Sequence, residues 1–156
     1  METISLGPWL ISYDAETTRK VYIQIESGGV ERCGCEPCLN FARARKHVYP
    51  EEATKVLDKL GVDFTKEAEV YHFCRVRSGW HHYGGLLHFV GSIQRVGSEL
   101  GAANGKPTVF LKVNENFSWC FSSKRELVPV AFGNLPVVRI IFDAKVPWVL
   151  GIKEPD

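Results

Sequence analysis

Val70-Tyr71-His72-Phe73-Cys74-Arg75-Val76, Gly85-Leu86-Leu87-His88-Phe89-Val90-Gly91-Ser92-Ile93 and Val137-Val138-Arg139-Ile140-Ile141-Phe142-Asp143-Ala144-Lys145-Val146 decide the fold. These runs are rich in β-branched and aromatic residues, and their apolar side chains recur with a period close to two, the repeat of a pleated strand. Thr108 to Val113 and Phe117 to Phe121 continue the pattern, so the chain from Glu67 onward reads as strands. Gly79, Gly84-Gly85, Gly101 to Gly105 and Gly133 punctuate them as hairpin or loop positions. Strands that follow one another through short turns favour antiparallel pairing.

Toward the N-terminus, Ile4 to Tyr13 and Lys20 to Glu26 read as two further strands joined across Asp14 to Arg19, because Val21, Ile23 and Ile25 alternate with polar neighbours. Two helices fill the middle. Pro37 suits the first position of one that runs through Asn40-Phe41-Ala42-Arg43-Ala44-Arg45. Ala53, Val56, Leu57 and Leu60 lie on one face of the other, between Pro50 and Gly61. The expected class is α+β, a single curved and mainly antiparallel sheet, as far as a half-barrel, with the two helices on one face or end.

The 156 residues contain no linker, repeat or low-complexity tract, so residues 1–156 are read as one domain. Nineteen basic against eighteen acidic residues leave a net charge of +1, which disfavours a nucleic-acid partner. No apolar run approaches the ~20 residues of a membrane helix, and the start lacks the pattern of a secretory signal. The expectation is a cytosolic protein without membrane contact.

Cys33-Gly34-Cys35-Glu36-Pro37-Cys38 places three of five cysteines within six residues. Gly34 permits a tight turn and Pro37 fixes the chain at the helix entrance, so the thiolates can converge on a metal. Zinc is the favoured ion, with one remote ligand from His47, His72, Cys74, His81, His82, His88 or Cys120. An iron–sulfur cluster completed by Cys74 or Cys120 is a second reading. A thiol lowered in pKa at the helix N-terminus, Cys35 or Cys38, with His81 or His82 as base, is a third and would make the protein a thiol enzyme. The plain alternative is that these are small buried residues.

Gly79-Trp80-His81-His82-Tyr83-Gly84-Gly85-Leu86-Leu87-His88 is the other unusual stretch. Trp80, His81, Tyr83 and His88 are candidate walls of a cleft for a small molecule, since histidine titrates near neutrality and aromatics supply apolar surface. In an extended chain His81 and Tyr83 share one side and His82 takes the other. Against this, aromatics and histidines often only pack a sheet. Glu67 and Glu69 could serve as acid and base, although acidic groups before a strand are usually solvated. Arg43 to His47 reads as helix-dipole complementation on a solvated face. Gly101 to Thr108 lacks the spacing of a phosphate loop.

With Cys33 to Phe41, Tyr49-Pro50, Leu60-Gly61-Val62-Asp63, Lys66 to Tyr71, His81-His82-Tyr83-Gly84-Gly85, His88-Phe89-Val90-Gly91 and Val146 to Leu150, the chain resembles an uncharacterised family of bacterial proteins. The resemblance implies a single unit in a bacterial cytosol, and brings no activity or substrate with it.

Overall fold

The computed structural model describes residues 1–97 and 110–156, so the Gly101 to Gly105 loop and the start of the Thr108 strand lie outside the described residues. The chain folds as α+β around one open antiparallel sheet of seven strands. In chain order these are β1 (Glu2–Leu6), β2 (Trp9–Tyr13), β3 (Glu69–Arg77), β4 (Trp80–Val96), β5 (Leu111–Asn114), β6 (Phe117–Ser122) and β7 (Val137–Pro147). Four helices, α1 (Ala15–Gln24), α2 (Gly29–Cys33), α3 (Glu36–Ala44) and α4 (Glu51–Leu60), separate β2 from β3. The lateral order is β1-β2-β4-β7-β6-β5, and β3 pairs with β4 alone.

β4 organises the sheet. β7 pairs with it from Trp80 to Val90, while the other edge is divided: β3 covers Trp80 to Leu86 and β2 covers Gly91 to Val96. Helix α1 fills the interval between them. Thr18 Oγ1 accepts the Val90 N–H at 2.9 Å, Asp14 N–H donates to the Val90 carbonyl at 2.9 Å, and Tyr22 Oη donates to the His88 carbonyl at 2.7 Å. No strand among the described residues pairs with this stretch on that edge, so the helix supplies the partners that these buried backbone groups need. Lys20 to Glu26 is therefore helical over most of its length and not a strand. Asp14 caps the helix with a carboxylate that accepts the Thr17 N–H, and the inward residues Thr18, Val21 and Tyr22 have helical spacing.

Ile4 to Tyr13 also differs from its expected form, because Gly7 in the left-handed region (φ +54°) folds it into the β1–β2 hairpin. Gly84 and Gly85 are not turn positions but lie inside β4. A Cβ on Gly85 would stand 2.3 Å from the Phe142 ring, and one on Gly84 would stand 2.8 Å from Phe73, so both glycines make room for aromatics. The hairpin turn sits at Gly79, where φ is +79°.

Phe41 from α3, Ala53, Leu57 and Leu60 from α4, Tyr83, Leu87 and Phe89 from β4, Phe117 and Phe121 from β6, and Ile140 and Phe142 from β7 are all buried. Phe142 stacks with Phe117 and Phe41, and Tyr49 meets it edge-on, so the α3–α4 connection is tied into the sheet face. No helix among the described residues is long and apolar enough to cross a membrane.

Candidate metal centre

Helix α2 ends at Gly34, whose left-handed φ of +71° reverses the chain, and α3 begins two residues later with Cys35 as its N-cap. Cys33 is thus the last residue of one helix, Cys35 the cap of the next, and Cys38 stands in that helix's first turn. Glu36 opens α3 and Pro37 follows it, one place later than the expected first position. The three Sγ atoms lie within 4.8 Å of one another, and those of Cys33 and Cys35 are 3.3 Å apart. Cys33 and Cys35 are exposed, while Cys38 is 9% exposed against the core.

The electrostatics of the three thiols differ. The Cys35 backbone N–H, then the thiols of Cys35 and Cys38, pull the Cys33 thiol below its ordinary value. Burial first, then the neighbouring sulfurs, push Cys38 upward. The group can hold a metal ion, for which it offers three soft donors on one turn. Among the described residues no histidine, carboxylate or further cysteine joins them within that radius.

None of the remote donors considered in the sequence joins the three sulfurs. His81 is fully buried, its Nε2 is 3.0 Å from Glu154 and its Nδ1 is 2.8 Å from His72 Nε2. Burial, and then His81 and His82, lower the His72 pKa. His82 turns to the opposite side of the sheet, 3.2 Å from Asp143, as alternation requires. A register shift between His72 and Cys74 breaks the alternation expected to align them, and Cys74 pairs with His82. Cys120 is buried in β6, and His47 ends the 3-10 turn that follows α3.

The four aromatic and histidine candidates do not all share one side of the sheet. Trp80 is half-buried at the hairpin, under the Arg77 guanidinium 5.1 Å from its ring. His81 and Tyr83 share the helix-facing side. Tyr83 reaches the cysteine turn from beneath, where its hydroxyl donates to the Pro37 carbonyl at 2.8 Å, and burial raises its pKa to about 12. His88 is buried between Arg139 of β7 and the Phe132 ring. Two open cavities among the described residues are lined by other groups, one of about 380 Å³ by His82, Lys112, Asn116 and Asp143, and one of about 440 Å³ by Arg19, Asp58, Phe64 and Lys66.

Two networks were not legible as such in the sequence. Arg45, expected on a solvated face, turns inward and forms two hydrogen bonds with Glu67 at 2.8 and 3.1 Å. Glu67 is fully buried and also accepts the Tyr49 hydroxyl at 2.8 Å, while Arg45 reaches Glu31 at 3.1 Å. Burial raises the Glu67 carboxyl, partly offset by Arg45. That geometry makes Glu67 an internal counter-ion and not a solvated acid or base. The second network is Asn40, which is buried in α3, donates to the Pro147 carbonyl at 3.1 Å and accepts the Val149 N–H at 2.7 Å. It straps the chain after β7 to the helix that carries the cysteines.

No protein family, curated protein or solved structure matches the chain.

Proposed function

We propose that the protein binds a zinc ion through Cys33, Cys35 and Cys38, with the fourth position supplied from outside this cluster. The observation that carries the reading is the convergence of three sulfurs within 4.8 Å. Tetrahedral zinc with bonds of about 2.3 Å separates its sulfur ligands by about 3.8 Å, close to the separations at which these three sulfurs already stand. As thiolates, Cys35 at the N-cap and Cys38 in the first turn of α3 also gain from that helix's unpaired amides and dipole. Carboxylate-preferring ions such as magnesium and calcium are poorly served by sulfur.

Supporting residues fit a rigid frame for such a site. Tyr83 holds the Pro37 carbonyl and Asn40 holds the segment behind α3, so the cysteine turn is fixed from the side facing the sheet. Cys33 and Cys35 face solvent, which leaves a bound ion accessible to an incoming ligand. Elemental analysis of protein purified without added metal tests the proposal. The expected result is about one equivalent of zinc, with Cys33, Cys35 and Cys38 protected from alkylation until a chelator is added. Less than half an equivalent of zinc, with all three thiols titratable in the native state, would overturn it.

A further inference from the structure

We infer that, when metal-free, Cys33 and Cys35 form an exchangeable dithiol that reduces small-molecule disulfides such as glutathione disulfide, leaving Cys38 as a thiol. Three observations carry this. Cys33 and Cys35 are exposed residues and their sulfurs stand 3.3 Å apart, which opens the pair to a disulfide from solvent and to each other. Cys38 is 9% exposed and meets a small disulfide poorly. Gly34 between the pair adopts the left-handed conformation, a reversal open to glycine that turns Cys33 back toward Cys35.

The chemistry balances in two displacements. One thiolate of the pair attacks a sulfur of the disulfide, forms a mixed disulfide and expels one small thiolate. The second protein thiol loses its proton to the departing thiolate or to solvent, attacks the protein sulfur of the mixed disulfide and expels the other small thiolate. Two protein thiols are oxidised to the Cys33–Cys35 disulfide, and one disulfide is reduced to two thiols. Metal and disulfide compete for the same sulfurs, so oxidation would release the ion and a bound ion would block exchange. That competition rests on the zinc reading; the exchange itself does not.

The experiment uses chelator-treated full-length Cys74→Ser protein, because Cys74 is also exposed. It is incubated with glutathione disulfide, quenched with an alkylating agent and mapped by peptide mass spectrometry. The expected product has lost two hydrogens between Cys33 and Cys35 and carries alkylated Cys38 after unfolding. Adding Cys33→Ser should stall the reaction as a glutathione adduct on Cys35, and adding Cys35→Ser should stall it on Cys33. Adducts that persist in the parent, a bond that includes Cys38, or no reaction would each overturn the exchange. Zinc-loaded protein should react about tenfold or more slowly. An equal rate would overturn the competition and leave the exchange standing, whatever metal the purified protein contains.

Discussion

Tyr22 Oη donates to the His88 carbonyl oxygen at 2.7 Å and accepts the His88 N–H at 3.3 Å, so one helix side chain serves a strand edge as a neighbouring strand would. Tyr22→Phe should remove both bonds while keeping the ring against Phe132. Leaving a buried carbonyl and amide unpaired costs about 1–3 kcal/mol. Thr18→Val should act similarly on the Val90 amide. Urea melts measure the loss, and amide exchange at His88 and Val90 should accelerate. A Tyr22→Phe change below about 0.5 kcal/mol would show that this edge does not depend on the hydroxyl.

The same His88 has a buried ring; the Glu126 backbone carbonyl, which favours its charged form, only partly counters burial. Burial lowers its pKa from 6.5 to about 4. Because the folded state resists protonation and the unfolded state does not, stability should be complete above pH 6.5 and decline as pH falls toward 4. The full effect is about 3 kcal/mol. Denaturant titrations across that range should show the decline, and His88→Leu should flatten it. An unchanged slope in the variant would assign the acid sensitivity to other groups.

Much of this architecture was legible because hydrophobic period and turn residues are local signals. The β3, β6 and β7 strands, the part of β4 after Gly85, the α4 helix with its Gly61 cap, and the opposite directions of His81 and His82 follow from them. The cysteine turn was legible for the same reason, since its spacing lies within six residues. Lys20 to Glu26 misleads because Val21, Ile23 and Ile25 satisfy a two-residue period, whereas what settles the segment is the gap in the β4 edge that Thr18 and Tyr22 occupy. Ile23 consequently lies 79% exposed. Arg45 and Glu67 meet across twenty-two positions, and the buried partner of a charge at that separation leaves no local pattern.

Gly85 offers a test of sheet packing that does not involve backbone conformation. The Phe142 ring lies over it, and an added methyl would enter the ring's space at 2.3 Å. Gly85→Ala should destabilise the protein by about 1–3 kcal/mol through overpacking. Combining it with Phe142→Leu should recover part of that loss, relative to the sum of the single changes, because the smaller side chain frees the space. Strict additivity in thermal or denaturant unfolding would show that the two residues do not share a constraint.

Arg45 and Glu67 make the strongest stability prediction. Glu67 is fully buried, Arg45 supplies its counter-charge and the Tyr49 hydroxyl a further hydrogen bond, while Glu31 shares the same guanidinium. Burial works against the Arg45 charge, but the hydrogen bonds and charge of Glu67 outweigh it and hold the guanidinium ionised. Arg45→Met strands a buried carboxylate, which costs about 3–5 kcal/mol when its partner is removed. Arg45→Met with Glu67→Leu removes both charges and leaves the Tyr49 hydroxyl without its acceptor and the exposed Glu31 without its cation, so most of the loss should return. Unfolding of the two single variants and the double one measures the coupling. If the double variant loses as much as the sum of the single ones, the pair contributes nothing by being paired, and the buried network has another origin.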